Sequence, residues 1–249
     1  MKRGLEIIAH RGASHEAPEN TVAAAKLGWA QRADAVEIDV HLTRDAEVVA
    51  IHDPTLLRTT GCDARVDETA LAEIRRLDAG IWKGSAWRAE RVPSLSEILA
   101  TVPAGRRLFI EIKEAPGLVS ALKSAIENGP VEPARLVLIS FDATALREAR
   151  RVLPACPALF LADTPDCTPA RIEELIRFCR AEGFAGLDVS SGWTIDRALV
   201  TKLHVAGLEL HVWTVNDAVR AKALVDAGVN GITTDRPGWL REQLAMMPS

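Results

Sequence analysis

The stretch AVEIDVHLTRDAEVVAIHD, residues 35–53, decides the fold of this chain. Ala35–Asp39 is an apolar run carrying two acids. Strand side chains alternate, so Glu37 and Asp39 point to the same side. A second apolar run, Glu47–Ile51, ends in His52-Asp53, and only a few turn-like residues, Thr43 to Ala46, separate the two runs. Parallel neighbours need a crossover of about a dozen residues, so this pair is an antiparallel hairpin. Pairing across a turn near Arg44–Ala46 puts Asp39 opposite Ile51 and Ile38 opposite His52. The return arm then carries His52 back beside Glu37 and Asp39.

With the hairpin arm set aside, the apolar runs number eight: Leu5–Ala9, Ala35–Asp39, Leu108–Ile112, Leu136–Ser140, Ala158–Ala162, Gly186–Ser190, Glu209–Trp213 and Gly231–Thr234. Segments with helical spacing lie between most of them, such as Thr21–Ala30, Ala143–Val152, Pro169–Ala181 and Ala218–Ala227. Asn20, Asp142 and Thr168-Pro169 mark helix starts, and Gly183, Gly207 and Gly228 mark stops. Strand–helix alternation implies a parallel sheet, and eight units in 249 residues imply an α/β fold of the (β/α)8 TIM-barrel type, distorted by the hairpin. From the hairpin to about Gly105 the chain makes an excursion of some sixty residues containing Trp82 and Trp87, expected as a small inserted cap or lid after the second strand. No internal repeat or second domain is visible, so residues 1–249 are expected to form a single barrel domain with the insertion at about 40–105.

Composition narrows the function. A net charge of −4 and scattered Lys and Arg argue against a nucleic-acid partner. No apolar run reaches membrane-spanning length. Met1-Lys2-Arg3 resembles the basic start of a signal peptide, but Leu5–Ala9 is too short for its apolar core. Cys62, Cys156, Cys167 and Cys179 lack Cys-x-x-Cys spacing, which fits reduced thiols in a cytoplasmic protein.

Chemistry gathers where the runs end. If Glu37 and Asp39 face inward with Glu111 and Lys113, three carboxylates converge and raise one another's pKa. A hard divalent cation (Mg²⁺, Ca²⁺ or Mn²⁺) resolves that conflict with oxygen ligands, whereas a salt-bridge network with Arg11 and Lys113 is the plainer alternative. His10 and His52 each close a strand-like run beside a charged residue, as befits a base that activates an oxygen nucleophile and an acid that protonates a leaving alcohol. Arg11 and Lys113 suit phosphate oxygens. His15 and His204 read as structural, while His41 and His211 stay open.

The residues resemble a known family. His10-Arg11-Gly12, Pro18–Thr21, Glu37–Asp45 and Val49–Asp53 are similar to motifs of the glycerophosphodiester phosphodiesterases. So are Leu56–Thr60, Leu77–Gly80, Val92–Leu95, Glu111–Lys113, Val212–Asn216 and Gly231–Asp235 with Pro237, spanning nearly the whole chain. The resemblance implies a distorted barrel with a cap that hydrolyses deacylated phospholipids, such as glycerophosphocholine or glycerophosphoethanolamine, to sn-glycerol 3-phosphate and an alcohol. It implies His10 and His52 as the acid/base pair, and Glu37, Asp39 and Glu111 as ligands of one divalent cation. Arg11 and Lys113 become phosphate contacts, and Trp213 lines the pocket. Where the glycerol's own hydroxyl attacks to give a cyclic phosphate, His10 is the first base and His52 the acid. Alternative substrates are lysophospholipids and phosphosugar diesters, and a non-catalytic glycerophosphate-binding barrel is the reading from another class. This chain departs from the family in Asp45-Ala46, Arg32 and Ala89, where a Gly is common, and in Ala24-Ala25, where a large aromatic is common. These departures bear on turn geometry and packing and remove no catalytic group.

Overall fold

The computed structural model describes residues 4–113, 116–163 and 168–247; the Met1-Lys2-Arg3 start and Cys167 lie outside them. Among the described residues nine strands form: β1 Glu6–Ala9, β2 Ala35–Leu42, β3 Val48–Ala50, β4 Arg107–Ile112, β5 Leu136–Ser140, β6 Ala158–Ala162, β7 Gly186–Ser190, β8 Glu209–Trp213 and β9 Gly231–Thr234. Eight are parallel, in the order β1-β9-β8-β7-β6-β5-β4-β2, and pairing of β1 with β2 closes the barrel. The ninth, β3, lies outside the ring and pairs with β2, antiparallel, with Val40 opposite Ala50 and Leu42 opposite Val48. That register continues to Asp39 opposite Ile51, where Ile51 N–H donates to the Asp39 carbonyl at 3.0 Å. The expected hairpin is therefore present, with β2 three residues longer than its apolar run and its arms rising beyond the barrel wall.

Alternation along each strand divides the buried residues between two cores. Ile8, Ala35, Phe109, Val137, Ile139, Leu159 and Leu161 cluster inside the barrel. Their neighbours in sequence, such as Ala9, Val36, Leu108, Ile110 and Leu138, join the larger core beneath the surrounding helices. Each fully buried Leu, Ile or Phe contributes roughly 1.5–3 kcal/mol through removal from water, so the two layers hold the strand ends rigidly. A third, small core of Val49, Ile51, Leu56, Val66, Ile74, Ala79 and Val92 belongs to the insertion. The insertion is a packed cap whose floor is the Val49 and Ile51 face of the hairpin, the same face that carries His41 and Asp39.

Local signals behave as the chemistry requires, with one correction. Asp142 and Thr168 cap helices Ala143–Val152 and Pro169–Glu182, and Gly183 and Gly228 end theirs with left-handed backbone. Asn20 does not cap the first helix, Val22–Ala30: Thr21 does, its hydroxyl accepting from Ala24 N–H at 3.1 Å. The Asn20 side chain turns instead to the barrel mouth. Of the histidines left aside, His204 bonds Asn230 Oδ1 at 2.8 Å and His15 is exposed. His41 Nε2 lies 3.0 Å from the His52 carbonyl, so it ties the two hairpin arms together. Among the described residues, no helix is long and apolar enough to cross a membrane.

A candidate active site at the carboxyl ends of the barrel strands

A cavity of about 200 Å³ opens at the carboxyl-terminal end of the barrel, and His10, Arg11, Glu37, His52, Glu111, Lys113 and Trp213 all line it. Asp39 stands just behind: one ligand oxygen from each of Glu37, Asp39 and Glu111 falls within 4.8 Å of the others. Every residue singled out in the sequence therefore comes to one place. The register explains the cluster, because Asp39 lies beside Glu111 across β2 and β4, and the two-residue period then brings Glu37 and Glu111 onto the same inner face.

The His10-Arg11-Gly12 turn after β1 is shaped by two successive left-handed residues, Arg11 at φ 53° and Gly12 at φ 84°. A Cβ on Gly12 would lie 2.4 Å from the Ala24 carbonyl carbon, so only glycine fits against the first helix. The turn aims the Arg11 N–H at Glu37 Oε2, 2.9 Å away, and its guanidinium at Asp39 Oδ2, 3.1 Å, and Glu19 Oε1, 2.9 Å. Asn20 grips Asp39 from both ends, donating to Oδ2 at 2.8 Å and accepting from its N–H at 3.1 Å. Lys113 Nζ sits 2.8 Å from Asp39 Oδ1 and also pairs with Glu111.

The salt-bridge alternative is thus partly realised, yet it does not balance the site. Three carboxylates face Arg11 and Lys113, and Arg11 is shared with Glu19. Burial, then Asp39 and Glu111, push Glu37 well above the usual carboxylate range. Burial and Asp39 raise Glu111 to about 7 despite Lys113. Burial opposes charge on Asp39 as well, but Lys113 and Arg11 hold it well below its ordinary value. Uncompensated negative charge among converging oxygens is the donor set a hard divalent cation requires, so the residues fit such an ion.

The two imidazoles are held alike. His10 Nδ1 is 2.6 Å from Asp235 Oδ1, and His52 Nδ1 is 2.7 Å from Asp53 Oδ1. A carboxylate on Nδ1 fixes ring and tautomer and leaves Nε2 for proton transfer in the cleft. Asp235 is itself fixed by Ser14 Oγ at 3.0 Å and Asn216 Nδ2 at 2.5 Å. Burial opposes its charge, but the bond from His10 holds it down at about 2. Asp53 is also held at about 2, chiefly by Arg58, which donates to it at 2.6 Å and reaches Glu19 at 2.7 Å. Burial lowers the His52 pKa, and Arg11 adds to the effect against Asp39. Asp235, Asp53 and Arg58 complete the hydrogen-bond network around the two imidazoles, and the sequence alone did not single them out. Asp235 lay inside a quoted motif, but nothing in the sequence tied it to His10, 225 positions away.

Trp213 forms part of the opposite wall with Ile139, Phe141 and Leu161. Phe141 meets its ring edge-on at 5.7 Å. Asp188 joins this wall while only 2% exposed, and burial pushes its carboxyl up to about 7. His211 is fully buried beside it in the β7–β8 register, with Nε2 3.0 Å from Glu209 Oε2. Neither Asp188 nor His211 was assigned a role from sequence.

A parallel barrel bearing an acidic oxygen cluster between two carboxylate-oriented imidazoles, with two cations beside it, defines a class: enzymes that hydrolyse phosphoric esters at a barrel mouth. Residues 10–239 match the model of the glycerophosphoryl diester phosphodiesterase family, and the chain belongs to that family. It is a phosphoric diester hydrolase, a glycerophosphodiester phosphodiesterase by kind. It is 34% identical to the glycerophosphodiester phosphodiesterase of Caldanaerobacter subterraneus subsp. tengcongensis over 93% of this chain and 94% of that one. Among solved structures, a phosphodiesterase of Oleispira antarctica in complex with the product sn-glycerol-3-phosphate superposes with a TM-score of 0.88 at 30% identity, covering 96% of both chains. The glycerophosphodiester phosphodiesterase of Agrobacterium tumefaciens gives 0.80 at 26%, covering 96% of this chain and 99% of that one.

Proposed function

We propose that the chain, acting as one domain over residues 1–249, hydrolyses glycerophosphodiesters such as glycerophosphocholine or glycerophosphoethanolamine to sn-glycerol 3-phosphate and the free alcohol. The observation that carries this reading is the pairing of His10 with Asp235 and His52 with Asp53 on either side of Glu37, Asp39 and Glu111. One imidazole accepts the proton of the attacking oxygen, and the other donates a proton to the departing alkoxide, so charge never builds up on either oxygen. Where the glycerol's own hydroxyl attacks, His10 takes the first proton and His52 protonates the alcohol. Burial lowers the His52 pKa, which makes its protonated form a stronger donor. Arg11 and Lys113 hold the non-bridging phosphate oxygens and offset their charge as the bond order shifts. Trp213 packs against the organic part of the substrate.

Glu37, Asp39 and Glu111 would hold one divalent cation, Mg²⁺ or Ca²⁺, with Mn²⁺ as a third candidate. When bound, that ion polarises the phosphoryl group as a Lewis acid. The product held by the Oleispira relative supports a small-molecule substrate of this size and charge. The free thiols Cys62, Cys156 and Cys179 support a cytoplasmic location.

Purified protein assayed on a panel of glycerophosphodiesters with each ion in turn should release sn-glycerol 3-phosphate. A chelator should abolish the rate, and restoring the ion should restore it. Glu37→Gln should raise the ion concentration needed for half-maximal rate by about tenfold or more. Undiminished turnover in chelator would rule out the metal role, and no turnover on any panel member would rule out the substrate class.

A further inference from the structure

The acid–base machinery uses only one side of the cleft. Glu37 and Asp39 stand on β2, and β7 is four strands away from β2 in either direction around the eight-strand ring, directly across the mouth. From β7 a single acid, Asp188, enters a wall that also carries Ile139, Phe141, Leu161, Trp213 and Thr214. It is 2% exposed, and its Oδ1 has no hydrogen-bond partner among the described residues. Its neighbour His211 is engaged by Glu209 through Nε2, and its Nδ1 is likewise without a hydrogen-bond partner among the described residues, so no hydrogen-bonded pair satisfies the carboxyl. A buried polar group left unmatched is destabilising, and one in the wall of a binding cleft is matched by what the ligand brings.

The surroundings select the kind of group. Aliphatic walls beside a lone carboxyl suit a chain of CH₂ and CH carbons bearing hydroxyls, which offers both contacts at once. A bulky onium cation is drawn instead to aromatic faces, and here Phe141, at 47% exposed, lies out at the rim, while Trp213 turns its N–H edge to the Asp188 carbonyl at 3.3 Å. We propose that Asp188 is a substrate-binding residue that hydrogen-bonds a hydroxyl of the glycerol unit, so that it sets the preference for a polyol phosphate ester over an alkyl one. The proposal rests on the phosphodiesterase reading for the position of the phosphate between Arg11, Lys113 and the carboxylate cluster.

The test compares sn-glycerol 3-phosphate with propyl phosphate, which has the same carbon skeleton without hydroxyls. Affinities are measured by calorimetry in Mg²⁺ buffer on wild type, Asp188→Asn and Asp188→Ala, with thermal midpoints confirming that the variants fold. Wild type should prefer the glycerol ester by about tenfold or more. Asp188→Ala should erase the preference while leaving propyl phosphate affinity within about twofold, and Asp188→Asn, which can still hydrogen-bond, should keep part of it. Three results would overturn the proposal: no preference in wild type, a preference that survives in Asp188→Ala, or an equal loss for both esters, which would make the residue structural. A fourth would reassign it: glycerol 3-phosphate affinity unchanged in Asp188→Ala while turnover of glycerophosphocholine alone falls among the diesters. Hydrolysis of glycerophosphocholine by wild type is scored separately. Its absence would defeat the phosphodiesterase reading, yet the affinity ratio would still decide the role of Asp188.

Discussion

His10 and His52 share an architecture that neither shares with the other histidines described above, in which Nδ1 is occupied by a carboxylate that is itself tied down. An imidazole that donates and accepts protons in turn gains from such a partner, because the carboxylate fixes the tautomer and steadies the imidazolium. If so, His10→Ala should lower kcat by about 10²–10⁴-fold. Asp235→Asn should lower it by about 10- to 100-fold with little change in KM, since the asparagine can present its N–H₂ to Nδ1 and favour the wrong tautomer. The double variant should be scarcely worse than His10→Ala, because the aspartate acts only through the ring. Steady-state kinetics on one glycerophosphodiester checks all three, and additive losses would show that Asp235 does something independent of His10. The imidazoles themselves were legible in the sequence because each closes an apolar run. Their carboxylates were only half legible: Asp53 adjoins His52, but Asp235 reaches His10 through closure of β1 on β9, a contact that no local pattern encodes.

At the scale of elements, the strands and the hairpin were readable for a physical reason. Apolar runs and their alternation record which face is buried, and loop length alone separates an antiparallel return from a parallel crossover. Asn20 was misread because capping and site-building draw on the same residue types, and Thr21 one step later could cap in its place. The turns carry a further consequence. Arg32 at φ 63°, Ala46 at φ 61° and Ala89 at φ 74° occupy left-handed backbone at the three positions where the family resemblance leads one to expect glycine. A side chain there costs roughly 1–2 kcal/mol, and glycine gives back roughly 0.4–1 kcal/mol through the freedom of its unfolded chain. Arg32→Gly, Ala46→Gly and Ala89→Gly should therefore each stabilise the protein by about 0.5–1 kcal/mol. The three turns are separate, so the triple variant should gain on the order of 2 kcal/mol. Urea unfolding at constant m-value measures this, and a loss at any position would mean that its side chain contributes more than its backbone costs.

Across the whole molecule, the barrel interior carries ionisable groups from its base to the cleft. Arg107 pairs with Glu6 at 2.7 Å and lies over the Phe109 ring, Phe109 meets His211 at 5.4 Å, and Asp188 stands next to His211 in the register. A barrel built for stability alone would fill these positions with aliphatic side chains, so the polar groups near the mouth are the cost of function. Asp188 makes that cost measurable. Its folded pKa is raised to about 7, whereas the unfolded chain titrates near the ordinary ~3.9. A carboxyl with a raised folded pKa keeps its full contribution below the unfolded value and loses it as pH rises through the folded one, because the unfolded state gives up its proton first. The loss accrues between about pH 4 and 7 and levels off above, at on the order of 4 kcal/mol. Asp188→Asn has no proton to lose there. Its advantage over wild type in urea unfolding should therefore be smallest near pH 4, grow through pH 5 and 6, and reach a plateau above pH 7. Glu37 and Glu111 tilt stability in the same direction, but they are present in both proteins and cancel in the difference. A gap of the same size at every pH would mean that the Asp188 carboxyl ionises freely in the folded barrel. A gap that widens with pH, together with the loss of preference for a polyol ester, would show that one buried carboxyl weakens the fold and recognises the substrate.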